Sequence, residues 1–301
     1  MSKDLLRKVL QQAQTPVWLG DVRDGLIVPV SFDGTIPSAV DVVADYFINV
    51  AQGNIEGTTS VNKFGRSTNV DSSVDTDIWD RANATDDQDI WVAPVQARVH
   101  NIASDNAADD GSPVGNGART IRVFGLPDWN SAEVSEDIVL DGVANVATVN
   151  SYVIIHRMRV LTSGTSGPNV GTITATAVTD GTVTAQINPS EGQTQMAIYG
   201  IPSTQTAYMT QFYASILRAN LGATVSFADL RLLFNPQPDD NTNTYLVKHS
   251  IGVGSNGNNP FYHPYQPYNR FSGPGVLKLQ ASGSANNLDI SARFDLILVD
   301  N

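Results

Sequence analysis

The sequence predicts a mainly β protein, an antiparallel β-sandwich or pair of sandwiches of jelly-roll type, preceded by a short helical and extended N-terminal segment. Three observations carry this. Beyond residue 93 about a dozen short Val/Ile/Thr-rich runs recur at hairpin-like spacing, separated by Gly, Asn, Asp or Pro. No helical period lies between them, which favours antiparallel sandwiches over a parallel sheet with crossover helices. Charged residues make up only 16% of the 301-residue chain, against roughly 25% in average domains. Ser, Thr, Asn and Gly fill the difference, and they suit short strands and turns better than exposed helices.

Residues 2–14 form the first predicted element, an amphipathic helix. Leu5, Leu6, Val9, Leu10 and Ala13 share a face, Ser2 can cap the start and Pro16 follows the end. A helix this short needs a surface, either its own domain or a neighbouring subunit. A second helix is expected over 38–52, "SAVDVVADYFINVAQ", with Ser38 and Asp41 at capping-box spacing and Gly53 as its stop. From 54 to 93 both periodicities disappear. A structureless stretch that long is uncommon in a compact domain. Its aromatics, Phe64, Trp79 and Trp91, favour an arm laid across another surface over a disordered one.

The strand region then reads "VQARVHNIA", "ARTIRVFGL", "SEDIVLDG", "SYVIIHRMRVLTSG" and "GTITATAVTDGTVTAQI", the last a hairpin turning at Asp180-Gly181. "TQMAIYGIP", "TAYMTQFYASIL", "TVSFADLRLLF", "NTYLVKHSIG", "GVLKLQASG" and "LDISARFDLILVD" follow. The expected organisation is an attachment segment over 1–93, one sandwich region over 94–192 and another over 193–301, the last two combining into one unit if they share a core.

Composition excludes several function classes. A net charge of −12, from 18 basic and 30 acidic residues, opposes nucleic-acid binding, which depends on Lys and Arg displacing counterions. It equally opposes anionic membranes. No Cys is present, so neither disulfides nor thiolate metal sites can form. Arg7 and Lys8 interrupt the apolar stretch a signal peptide would need, and no window approaches the ~18 apolar residues of a membrane span. Assembly in a cytoplasm is the expectation.

Motifs that carry chemistry fail one by one. "GVGSNG" (Gly252–Gly257) has the letters of a dinucleotide fingerprint, but "NNPFYHPYQPY" after it cannot open the required helix. "SDNAADDGSPVGNG" (Ser104–Gly117) has calcium-loop composition with the wrong ligand spacing, and reads as a polar loop that could at most hold a weak surface cation. Asp71, Asp75, Asp77, Asp80, Asp86, Asp87 and Asp89 could serve as ligands or as a glycosidase pair. Their turn-like surroundings instead favour solvated acids and caps, because a catalytic acid needs burial. His100, His156, His249 and His263 show no paired metal spacing, and no nucleophile elbow occurs. "PFYHPYQPYNRF" (Pro260–Phe271) packs five aromatics among three prolines. It forms either an exposed recognition rim, with Tyr262, His263, Tyr265 and Tyr268 facing a glycan or protein, or a cover folded over one end of the sandwich.

"VNKFGR…VD…DIWD", "NAADDGSPVGNGARTIRVFGL", "SEDIVLDG", "NVGTITATA", "GQTQMAIYGIPSTQTAYM" and "DLILVDN" together resemble uncharacterised β-sandwich virion proteins of tailed bacteriophages, over nearly the whole chain. The resemblance implies a structural virion component: a capsid decoration protein, a head fibre or a tail-associated protein. It carries no catalytic residues, metal or cofactor, and none is expected. The expected partners are other virion proteins (the major capsid protein, or tail and neck proteins) and further copies of the chain in a homotrimer or other cyclic oligomer. Leu5, Leu6, Val9, Lys63, Phe64, Arg66, Trp79 and Trp91 are the candidate partner-interface residues, on an arm that orders when it finds its surface. A tail-associated glycan-binding protein is the alternative.

Overall fold

The computed structural model describes residues 46–83, 88–218, 226–240, 244–255 and 260–301. The chain divides into two compact units, Met1–Thr59 and Ser60–Asn301. In the first, residues 46–51 form one helical stretch, α1. Its end is a Schellman motif. Gly53 sits at φ 72°, Gly53 N–H donates to Val50 O at 3.1 Å and Asn54 N–H to Asn49 O at 2.8 Å. The expected helix over 38–52 is thus present in its described part and stops where Gly53 dictated. The expected helix over 2–14, with Leu5, Leu6 and Val9, lies outside the described residues, as does 38–45.

The rest is mainly β, built of antiparallel sheets. One four-stranded sheet runs in the order β1 (Thr58–Val70), β16 (Leu288–Asp300), β11 (Gln205–Arg218), β14 (Phe261–Ser272). The other runs β10 (Ile198–Ile201), β15 (Gly275–Gly283), β12 (Phe227–Asn235), β13 (Leu246–Gly254), with the two-residue β2 (Thr76–Asp77) also paired to β15. Both contribute alternate side chains to one core, including Phe212, Phe271, Leu277, Leu279, Phe294 and Leu296. Pairing is nested: β12 with β13, β11 with β14, β10 with β15, and the first strand β1 with the last, β16.

Between β1 and β10 the chain leaves to build a second pair of sheets. Strands β3 (His100–Ser104), β6 (Val146–Ala147), β8 (Ile173–Ala177) and β9 (Val183–Ile187) form the sheet β6-β3-β8-β9. Strands β4 (Ala118–Leu126), β5 (Val134–Val139) and β7 (Ile154–Ser163) form β5-β4-β7. Their common core holds Ile102, Ile121, Leu126, Ile154, Met158 and the tryptophans Trp79, Trp91 and Trp129. The β8–β9 hairpin turns where expected, with Gly181 at φ 69°.

The two cores share a wall. On β10 and β15, Tyr199 and Leu277 face the first core while Ile198 and Val276 face the second. Both strands are therefore buried on both sides: β10 reads as an apolar run, while β15 alternates, with the polar Lys278 and Gln280 buried between its apolar residues.

This layout corrects the expected boundaries at 93 and 192. The first pair of sheets takes β1 and the two-residue β2 from 58–77 and the rest from 198 onward, so the second pair is an insertion and not a sequential neighbour. Strand β1 shows no strand signal in the sequence because its most buried face carries Lys63, Gly65 and Ser67, which have no apolar period. Gly65 is required there, since a Cβ would collide with the carbonyl of Ile78 and the amide of Ala197.

Candidate functional site

The residues expected to anchor an arm lie inside the molecule. Trp79 is 0% exposed and its indole N–H donates to Gln88 O at 3.1 Å. Trp91, also in the second core, donates its indole N–H to Thr184 O at 2.8 Å. Arg66 is held by Asp289 through two bonds of 2.9 and 2.6 Å, and Phe64 is half-buried on β1. These positions overturn the reading of 60–83 and 88–93 as an arm on a foreign surface. Trp79 and Trp91 fill this chain's own core, where burial of each large side chain contributes several kcal/mol.

Lys63 opens a buried polar cluster where β1 meets the inserted sandwich. Its ammonium, 2% exposed as a residue, donates to the carbonyl oxygen of His156. Burial, reinforced by the Arg157 charge, pushes Lys63 well below the usual lysine range. Burial likewise lowers His156, whose Nε2 lies 2.5 Å from Glu133 Oε2 and whose ring rests 4.5 Å from that of Tyr199. Glu133 is lowered too, against its burial: burial would raise it, but the partnership with His156 and the charges of Arg157 and Lys63 outweigh that and hold it below the usual carboxylate range. The neutral imidazole therefore donates from Nε2 to the Glu133 carboxylate, leaving Nδ1 buried without a protein partner.

Asp80 completes the cluster. Its carboxylate accepts Gln195 N–H at 2.6 Å and Asn188 Nδ2 at 3.2 Å, and burial raises its carboxyl well above the usual range. The expectation of solvated aspartates is corrected at Asp80 and at Asp77, which is also fully buried. It holds better at Asp75, which is about half exposed and makes a 3.6 Å pair with Arg231. Asp86 and Asp87 lie outside the described residues. Lys63 Nζ donates to His156 O and Arg157 Nη2 to Asn62 O, so the cluster locks β1 onto β7.

The Ser104–Gly117 loop is organised around a carboxylate and not around a cation. Asp109 is buried and accepts four hydrogen bonds: from Ala118 N–H at 2.7 Å, Val170 N–H at 2.8 Å, Gly171 N–H at 2.8 Å and Ser104 Oγ at 2.7 Å. Its lone pairs are thereby used. Among the described residues no group of three or more His, Asp or Glu could hold a metal ion. The Gly252–Gly254 part of "GVGSNG" ends strand β13, with no helix after it among the described residues.

The segment Pro260–Phe271 is folded partly into the core and partly exposed. Most of it is β14, an edge strand whose side chains alternate inward and outward. Tyr265 and Phe271 enter the first core and Phe261 packs against it, so Tyr265 is removed from any recognition surface. Tyr262 and Tyr268 point outward at 56% and 39% exposure. Residues 265–268 bulge between the pairs Gln211↔Pro264 and Met209↔Asn269. His263 is half-buried, its ring 5.0 Å from His249 of β13 and 4.7 Å from Tyr265, so the two histidines close the side of the sandwich between the edge strands. Pro264 and Pro267 offer no N–H, which keeps this edge from templating another strand.

Comparison with protein-family models, with curated proteins and with solved structures finds no match to this chain.

Proposed function

We propose that this chain is a non-enzymatic structural component of a tailed-phage virion, a capsid decoration or head-fibre protein built on a jelly roll. The observation that carries the reading is the nested strand order. Two facing sheets, β1-β16-β11-β14 and β10-β15-β12-β13, correspond to a long antiparallel ribbon rolled so that its first and last strands meet. That arrangement recurs in capsid and lectin domains. The burial of Asp77, Asp80, His100 and His156 within this chain's own packing supports a scaffold role over catalysis. Attachment to the particle then falls to residues 1–59, the separate compact unit, and not to the longer segment the sequence suggested. The inserted sandwich is the part free to project. The partners are the major capsid protein or a neck or tail protein, with several copies around a cyclic axis.

Removing residues 1–59 tests this. The truncated chain, keeping Ser60–Asn301, is expected to retain its β circular-dichroism spectrum and to be missing from particles assembled in its presence. Incorporation at the normal level would overturn the attachment role. Tyr262 and Tyr268, exposed on a rigid edge strand, favour a second reading as a tail-associated glycan-binding protein. Under it, a glycan bound by the full chain is lost when both are replaced by alanine while thermal stability is unchanged.

A further inference from the structure

Lys278 sits mid-strand in β15, paired across to Ile198 on one side and Leu233 on the other. Its Nζ lies 2.7 Å from Oδ2 of Asp77, and the two side chains are 3% and 0% exposed. Asp77 is equally fixed: its N–H donates to Asp89 O at 2.7 Å, and the next amide, Ile78 N–H, donates to Leu279 O at 2.9 Å. Two donors converge on the carboxyl, Gln280 Nε2 on Oδ1 at 3.0 Å and Trp91 N–H on Oδ2 at 2.9 Å. The Tyr245 ring lies 4.3 Å from Nζ and closes the site.

An ion pair sealed in this way sacrifices the hydration of both charges, and burial biases Asp77 toward its protonated form. Passing one proton from Nζ to Oδ2 relieves this and places a neutral amine against a carboxylic acid. Pairing of β15 on both sides and the backbone bonds of Asp77 and Ile78 hold Nζ and the carboxyl next to each other. Gln280 Nε2 stands where a tetrahedral intermediate would carry its negative charge on Oδ1, while the Trp91 amide holds Oδ2, the oxygen that leaves.

We propose that Lys278 and Asp77 condense into an intramolecular isopeptide bond. Nζ attacks Cγ and the C–N bond forms, with Gln280 holding the charge that develops on Oδ1. The Cγ–Oδ2 bond then breaks and water leaves. Of the three protons on Nζ, one remains on the amide and two depart with Oδ2, so no oxidant or co-reactant is needed. Gln280 acts as a positioning residue for Oδ1. The bond would tie positions 201 residues apart. It would supply a covalent closure that a chain without cysteine cannot obtain from a disulfide.

The intact mass of the purified full chain is the test. It is expected one water below the sequence mass, with a tryptic product joining the peptide of Asp77 to that of Lys278. The deficit should vanish in Asp77→Ala and Lys278→Arg, and form at least ~10-fold more slowly in Gln280→Leu. A mass at the full sequence value, with both peptides recovered unlinked after prolonged incubation, would overturn the proposal. So would a deficit that survives Asp77→Ala. The intact-mass measurement does not depend on any variant folding, because it is made on the unaltered chain.

Discussion

Asp109 and His100 show how much the fold depends on single polar side chains of types that usually lie at the surface. Asp109→Ala would orphan three backbone amides and the Ser104 hydroxyl in a dry loop base, at a cost of more than about 3 kcal/mol in urea unfolding. Adding calcium or a chelator should leave the melting temperature of the unaltered protein where it is, since the carboxylate is already saturated. His100 has its Nδ1 2.9 Å from Arg98 O while Nε2 is buried without a partner, and burial lowers it to about 4. Its folded value lies below its unfolded one, so its contribution to stability is complete above the unfolded value and is lost as pH falls toward 4. Relative to His100→Gln, the unaltered protein should lose about 2 kcal/mol between pH 7 and pH 5. His156 and His249 are lowered by burial as well and act in the same direction. None of this is legible in the sequence, because "SDNAADDG" and "ARVHNI" carry no sign of which side chain turns inward.

At the level of elements, apolar period decides what can be read. "ARTIRVFGL", "GVLKLQASG" and "LDISARFDLILVD" coincide with β4, β15 and β16 to the residue, since each places large apolar groups into a core. Strand β1 hides behind Lys63, Gly65 and Ser67, which serve close approach and a buried hydrogen bond. Strand β14 hides behind its prolines, which an edge strand tolerates and a central one does not. The tryptophans are legible as anchors, but the surface they grip is this chain's own core. That role sets an expected outcome: Trp79→Ala should destabilise the isolated protein by about 3–5 kcal/mol in chemical denaturation. A docking anchor would instead leave the isolated protein unchanged and fail only in assembly.

For the whole molecule, the expected β-sandwich content is legible, while the insertion of one sandwich within the other is not. Pairing of β1 with β16 is a contact between distant parts of the chain, and no local pattern announces it. The doubly buried β10 and β15 make the two cores one cooperative body. All three described tryptophans line the second core, so fluorescence of a Trp18→Phe variant reports that core alone while circular dichroism reports both. The two probes should give coincident urea midpoints; a second circular-dichroism transition without fluorescence change would mean that the cores melt separately. A different consequence follows from the place where the chain leaves the first sandwich and returns to it. Ala197 N–H donates to Ile78 O at 2.9 Å, and Trp79 bridges to Met196, so the two ends of the excursion stand side by side like the posts of a gate. Any foreign domain whose own termini are adjacent could be spliced between those posts without stretching the frame. Its geometric obligation would be an underside that covers Trp79, Ile198 and Val276 and keeps the Lys278–Asp77 pair sealed, which makes this neck a natural position for displaying cargo.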